Sequence, residues 1–577
     1  MEVCNPTTVG LRSRLFASGE LYPKLVVFFA TLVICLAYAA YTNHAWEDWY
    51  ITFRASKNFA AGKGLTFTEG ERVYSYTSPL GTTVPAICSL LTGNGDDQLA
   101  LWLFRSISAL LLAAGNVNLF VLLKRLGFAR WAVVGLCASL MLESKTVDHT
   151  INGMETGFMV FFITLTIMAS LRRSSPRPWL LLGLAWGGLM WSRPDGFVYG
   201  GALAVGFLAF PTQTALGHTR RDILRNYVKA FAEGATLYLP WLIATWSYYG
   251  SPVPHTITAK SLEAGGGFDI GSLMLKFVML PFTAGPSRSA FEQAFTPSYA
   301  GVFGGWPEQI FQVSRYVILL TSYYWLNPHG SRIARAASMA TMFVAYYLTD
   351  VTPNTMPWYL PNLVVIGLFA AAAIINDALR LRGEGNQAEL SGSTGTQWLV
   401  KGLVVAFLLF LGTTLYASAV QSRWQQRLVE DEVRTEIGRW LRENANSSKD
   451  TVMLECLGYI GFFSGLKMYD YPGMGTPEMV AARKKLSLKH GRYVRWGALS
   501  QEQMTVLIRE LKPDWLVLRL GVALGLNDHD PRLLTQDYRQ RKLVSTLEKI
   551  REVKFLPGRA YLEADAAFVV FSRNPYL

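Results

Sequence analysis

The chain has 577 residues, 51% hydrophobic and 16% charged, with 54 Lys and Arg against 41 Asp and Glu for a formal net charge of +13. A soluble globular chain of this length carries more charge and breaks up its apolar residues, so an ordinary soluble domain is excluded. The mean hydropathy is +0.22, and the apolar residues fall in runs, the mark of a polytopic α-helical membrane protein.

About eleven runs approach the roughly 20 residues that cross a bilayer, near 23–42, 99–123, 131–147, 153–171, 179–192, 196–211, 230–249, 310–326, 335–350, 358–379 and 398–420. The stretch 77–93 is also apolar, but Pro79, Gly81 and Pro85 interrupt it, and it reads as a juxtamembrane or re-entrant helix. Basic residues cluster at Arg12, Arg14 and Lys24; Lys124, Arg125 and Arg130; Arg172, Arg173 and Arg177; Arg220, Arg221 and Arg225; Arg332 and Arg335; and Arg380 and Arg382. With eleven spans every cluster falls on one face, which the positive-inside rule makes cytoplasmic. The N-terminus is then cytoplasmic and everything after residue 420 extracytoplasmic. The first span is too long for a removed signal peptide. The basic excess reports topology and contact with membrane lipids, not nucleic acid. Five scattered cysteines give neither a disulfide framework nor a metal-ligand spacing.

Residues 1–420 form the membrane domain, with outer loops at about 43–98 and 250–309 and a Gly- and Ser-containing cytoplasmic linker from Arg382 to Thr396. Residues 421–577 form a soluble α/β domain. It opens with a charged helix, Gln421 to Arg442, and then alternates apolar strands (Thr451–Cys456, Trp515–Leu518, Phe568–Phe571) with helical stretches such as Gln501–Leu511. There is no internal repeat, which counts against the commonest transporter architecture.

Glu47 and Asp48 follow the first span inside Trp46-Glu47-Asp48-Trp49-Tyr50. Carboxylates at a bilayer rim have little to do for folding, whereas one can act as base on a substrate from outside while a lipid-borne partner arrives from the membrane. Residues 46–60 can also form an interfacial amphipathic helix, Phe53 and Phe59 toward lipid and its charges toward water. Charged residues at the rim of a span are functional candidates. Such are Glu155, in Gly153-Met154-Glu155-Thr156, and Arg193 and Asp195, in Arg193-Pro194-Asp195-Gly196. The Arg193 fork matches a phosphate. For Arg105 and Arg315 a local ion pair or snorkelling is the favoured reading. His255 and Lys260 open the second outer loop and can cap a phosphodiester, and Trp358 and Tyr359 offer aromatic surface to a sugar ring or anchor the interface.

In order, these segments resemble the GT-C superfamily of polyprenyl-phosphate-sugar glycosyltransferases, and within it the bacterial, mycobacterial-type arabinofuranosyltransferases. The likeness rests on Glu47-Asp48 with Phe53-Arg54, Asn58 and Gly62-Lys63-Gly64; on Gly153-Met154-Glu155-Thr156; on Arg193-Pro194-Asp195-Gly196; and on Gly250-Ser251-Pro252-Val253-Pro254-His255-Thr256 with Ala259-Lys260. It continues in Glu455, Gly458 to Gly465 and Lys512-Pro513-Asp514-Trp515. The resemblance implies a multi-pass protein of a bacterial inner membrane whose periplasmic domain helps to hold carbohydrate. It implies a base role for Asp48, with Glu47 as helper or substitute; donor-phosphate binding by Arg193, His255, Lys260 and Arg54; and sugar or acceptor binding by Glu155, Trp358, Tyr359 and Asp195. The implied partners are a polyprenyl-phosphate sugar, D-arabinofuranose as the leading choice, and a glycan or protein acceptor. No P-loop or dinucleotide fingerprint is present, and two adjacent carboxylates without a His cluster argue only weakly for a divalent metal, so none is expected. Transfer to a secreted or pilin-type protein is the alternative within enzymes. A lipid-linked sugar flippase or transporter is the alternative outside them, and it predicts paired halves and mid-bilayer charges.

Overall fold

The computed structural model describes residues 18–172, 177–212, 217, 219–261, 289–351, 356–380, 394–446, 449–490 and 499–575. Arg12, Arg14, Arg173, Arg382, the linker to residue 393 and residues 262–288 of the second outer loop lie outside them. Every apolar range is helical: Ser18–Thr42, Asp97–Arg125, Arg130–Leu142, Thr156–Ser170, Pro178–Ser192, Gly196–Ala209, Arg220–Tyr249, Glu308–Tyr323, Arg332–Tyr346, Leu360–Arg380 and Thr394–Gln425. Among the described residues, Leu21–Thr42, Asp97–Arg125, Pro357–Leu379 and Gln397–Asn444 are long and apolar enough to cross a membrane; several others are shorter. The protein is a multi-pass membrane protein. The range 131–147 is broken at Glu143, whose carboxylate accepts the Lys145 and Thr146 N–H groups and so caps a separate helix, Ser144–Ile151. Arg105 is fully buried and donates to the Ile151 and His44 carbonyls and to Asn43, while Arg315 pairs with Glu292; both hold structure together.

The first outer loop contributes helices Glu47–Ala60 and Leu80–Leu91. The first of these does not lie on a lipid surface, as the amphipathic pattern predicts. Phe53 is fully buried, stacked on Trp49 at 4.8 Å and beside Phe462 at 5.6 Å, while Phe59 is exposed. The apolar face is covered by membrane helices on one side and by the C-terminal domain on the other, so protein replaces lipid as its partner.

The C-terminal domain carries one five-stranded sheet: β1 (Thr451–Leu454), β2 (Lys467–Asp470), β3 (Trp515–Arg519), β4 (Tyr538–Ser545) and β5 (Ala567–Arg573), in the order β2-β1-β3-β5-β4. The β2, β1 and β3 strands are parallel to one another, and β5 runs antiparallel to both β3 and β4. Period-two alternation puts Met453, Leu516, Leu518 and Val569 on one face, under helices Pro477–His490 and Gln501–Leu511. Val452, Leu454, Val517 and Val570 on the other face meet Val433 and Ile437 of the long helical segment that continues from Thr394–Gln425, and also Ile51 and Phe67 of the first outer loop.

That shared core docks the two parts. Arg54 is buried and donates to the carbonyls of Gly461 (2.7 Å), Gly465 (2.9 Å) and Leu466 (3.1 Å), and Tyr459 donates to Ala45 O at 2.9 Å. Gly458 touches the Glu47 backbone so closely that a Cβ would drive into its carbonyl oxygen. Gly458→Ala is therefore expected to lower stability by about 1–3 kcal/mol through overpacking, seen as a lower thermal midpoint of the whole protein in detergent.

Candidate active site

The turn from Asn43 to Trp46 sets the site. Trp46 is extended (φ −72°, ψ 152°) and no side chain caps the helix it precedes, so Glu47 and Asp48 supply negative charge at the helix N-terminus. The Trp46 ring is wedged: stacked on Tyr299 at 5.5 Å and edge-on to His149 and Trp358. This fixes where the two acids point, and they point apart.

Glu47 turns to the C-terminal domain. It accepts the Gly458 N–H at 2.5 Å, at the start of helix Leu457–Ser464, and meets Arg434 Nη1 at 3.3 Å. Burial pushes its carboxyl up against the pull of Arg434. Asp48 has no hydrogen-bond or ion-pair partner among the described residues and lines two cavities. Burial raises its pKa to about 6; Glu47 and Glu155 add to the rise, Lys260 and Arg193 oppose it. Both acids are half-buried, but only Asp48 has a free carboxylate.

The smaller cavity, about 60 Å³, brings together Asp48, Glu155, Arg193, Lys260, Trp358 and Tyr359. Glu155 follows Gly153, whose backbone (φ +100°) favours glycine and where a Cβ would stand 2.7 Å from Trp49. Arg193 is buried and carries most of its hydrogen bonding already: Nη1 to Glu155 at 2.7 Å, Nε to Asp195 at 2.9 Å, and the guanidinium 4.4 Å over Tyr359. Its Nη2 has no partner among the described residues. Lys260, from the helix His255–Ser261, lines both cavities and has no ion pair among the described residues.

Three expected site residues stand elsewhere. Asp195 lines neither cavity and anchors Arg193 and Tyr199. His255 faces the loop around Gly473 and Thr476, where burial lowers its pKa, and lines neither cavity. Arg54 is consumed by the backbone carbonyls it binds, on the far side of its helix. For Asp195 and Arg54 a charge read as facing a ligand is satisfied by the protein, whereas the buried His255 Nε2 has no hydrogen-bond partner among the described residues.

The larger cavity, about 520 Å³, runs from Asp48, Lys260 and Trp358 to the C-terminal domain. Its far wall includes Glu455, just after β1, Tyr471, just after β2, and Arg519, the last residue of β3. The carboxyl ends of the three parallel strands thus open on the cavity, where ligands bind in open α/β sheets. Arg519 pairs with Glu455 and, at 2.5 Å, with Asp565; Arg434 pairs with Asp565 at 2.7 Å and Glu430 at 2.8 Å. Burial pushes the Asp565 carboxyl up, but the two guanidiniums outweigh it and hold it below the usual carboxylate range. Of this wall the sequence singles out Glu455 only as part of the resemblance and Arg519 not at all, although each is a charged residue at the end of an apolar strand. Among the described residues no three His, Cys, Asp or Glu side chains form a group able to hold a metal.

The fold is shared with solved structures. An archaeal oligosaccharyltransferase from Archaeoglobus fulgidus, solved with an inhibitory peptide and a dolichol-phosphate, superposes with a TM-score of 0.54 at 12% identity, over 96% of this chain and 89% of that one. The chain has a GT-C fold. In sequence, the chain is 28% identical over 272 residues to a terminal β-(1→2)-arabinofuranosyltransferase of Corynebacterium glutamicum, covering 42% of this chain and 38% of that protein. It is 23% identical over 401 residues to the enzyme of the same description from Mycobacterium tuberculosis, covering 64% and 58%. The matches thus span less than two thirds of the length of these curated relatives. Residues 421–571 match a family model described as a domain of unknown function, DUF8728.

Proposed function

We propose that this protein is an integral-membrane glycosyltransferase that moves a sugar, D-arabinofuranose by its likeness to the two relatives, from a polyprenyl-phosphate donor to an extracytoplasmic acceptor glycan. The observation that carries the reading is the unpaired Asp48 carboxylate at the junction of two cavities that share Lys260. The smaller adds Arg193; the larger opens on the strand ends of the C-terminal domain.

The chemistry follows from that placement. An acceptor hydroxyl in the larger cavity gives its proton to Asp48 as its oxygen bonds to the anomeric carbon. The bond from that carbon to the phosphate oxygen breaks, and the polyprenyl phosphate leaves with its charge balanced by Lys260 and the free Nη2 of Arg193. Glu155 and Asp195 hold Arg193 in place, Trp358 offers its ring where the cavities meet, and Glu455 with Arg519 offers donors and acceptors to acceptor hydroxyls. The basic clusters support a cytoplasmic N-terminus and an extracytoplasmic C-terminal domain.

The short helices support lipid delivery. Thr156–Ser170 and Pro178–Ser192 have 15 residues each, about 22 Å of helix, less than the hydrocarbon thickness of about 30 Å. Arg172 and Arg177 anchor their other ends at headgroup level, so the shortfall recesses Glu155 and Arg193 below the outer rim, toward a lipid-borne phosphate. Arg193→Lys keeps the charge but loses the fork, and is expected to lower kcat/KM for the donor about tenfold while leaving acceptor KM unchanged in initial-rate assays.

The reading is tested by offering purified protein in detergent a panel of radiolabelled polyprenyl-phosphate sugars with glycan and peptide acceptors. Consumption of the arabinofuranosyl donor with label in the glycan is expected. Label in the peptide alone, or no donor consumed, would sink it.

A further inference from the structure

A second cleft, about 670 Å³, lies on the other side of the first-loop helix. Lys57 comes nine residues after Asp48, about 180° round a helix of 3.6 residues per turn, so one short helix presents Asp48 to one cavity and Lys57 to another. The opposite wall is the end of helix Leu457–Ser464, carrying Phe462, Phe463 and Gly465, with Arg442 from helix Glu436–Asn444 beside it. The volume is within the range of ligand sites.

Three features give the cleft its chemistry. Phe463 is half-exposed, with Arg439 5.6 Å over its ring, and Lys57 stands 5.6 Å over the buried Phe462 behind it; Phe463 is an aromatic shelf flanked by hydrogen-bond donors. Three lining carboxylates are held by cations, Asp97 by Lys57 at 2.6 Å, Glu71 by Lys467 at 2.7 Å and Glu69 by Lys63 at 3.0 Å, while Asp450 accepts the Trp515 indole N–H at 2.8 Å, so the wall offers both acceptors and donors to hydroxyls. Arg442 and Lys449 are exposed and have no ion pair among the described residues. The shelf is also rigid, since the Gly461, Gly465 and Leu466 carbonyls around it are gripped by Arg54.

We propose that this cleft is a second saccharide-binding site, which holds a segment of the acceptor chain remote from the sugar presented to Asp48. The inference rests on the acceptor being a glycan, as in the reading above. It makes the first-loop helix a post around which one glycan strand contacts both faces, and so favours acceptors long enough to reach.

The test is equilibrium binding, which needs no turnover. Full-length Asp48→Asn protein in phosphatidylcholine nanodiscs is titrated with linear di- and hexasaccharides of arabinofuranose, galactofuranose and mannose, and separately with inorganic phosphate and with phosphatidylglycerol nanodiscs. At least one hexasaccharide is expected to bind about tenfold more tightly than its disaccharide. Adding Arg442→Ala with Lys449→Ala, both exposed and structurally undemanding, or Phe463→Ala, should remove that advantage and leave the disaccharide unchanged. No length dependence for any sugar, a length dependence that survives all these variants, or an effect of Arg442→Ala and Lys449→Ala confined to phosphate or phosphatidylglycerol would each overturn the proposal. Loss of the transferase reading shows separately, as a length dependence in the Asp48→Asn protein beside a parent protein, Asp48 intact, that consumes no polyprenyl-phosphate sugar.

Discussion

Asp48→Asn is expected to insert, fold and express as the parent does and to lose transfer by about 10²- to 10⁴-fold in kcat, the range that a positioned general base contributes. The stability half follows from Asp48's lack of a protein partner: no ion pair or hydrogen bond among the described residues is broken by the change, and burial already disfavours the charge that it removes. Glu47→Gln is the paired control. Its oxygens accept the Gly458 N–H and face Arg434, so the substitution should lower the thermal midpoint more than it lowers the rate. A Glu47→Gln protein that is fully stable and inactive, beside an active Asp48→Asn protein, would exchange the roles of the two acids.

Arg434→Ala should cost about 3–5 kcal/mol, because removing one partner of a buried ion pair leaves uncompensated charge. Here one guanidinium, 4% exposed, serves Glu430, Asp565 and Glu47, whose side chains are 0%, 5% and 19% exposed. Arg434→Lys should recover little, since a point charge cannot reach three carboxylates in the geometry of a planar fork. Thermal unfolding in detergent reads the loss, and limited proteolysis between residues 421 and 577 should rise with it. An unchanged midpoint would show that the cluster is not what joins the first-loop helix to the C-terminal domain.

Much of the architecture was legible because it is written locally. The apolar runs, the strand at Trp515–Leu518 and the helix Gln501–Leu511 are patterns of period or length, and the structure has helix or strand at each. Glu155, Arg193 and Trp358 announced themselves as charges or aromatics at the rims of spans and Lys260 as a cation of the second outer loop, and the structure places them around Asp48. Long-range partners were not legible. Arg434 meets Asp565 131 residues away and Glu47 387 away, and no periodicity reports such a meeting. The same blindness explains Phe53 and Arg54: an amphipathic helix advertises a partner for its apolar face, but its sequence does not distinguish a lipid surface from a protein domain folded hundreds of residues later.

If Asp48 is the group that takes the proton, the pH dependence of kcat/KM for the acceptor carries its titration. A protonated carboxyl cannot accept a proton, so the rate should be level above about pH 6 and fall about tenfold per pH unit below it, the limb set by the raised pKa of Asp48. The residual activity of Asp48→Asn should lack that limb. A profile flat from pH 5 to 8, or the same limb persisting in Asp48→Asn, would contradict the claim.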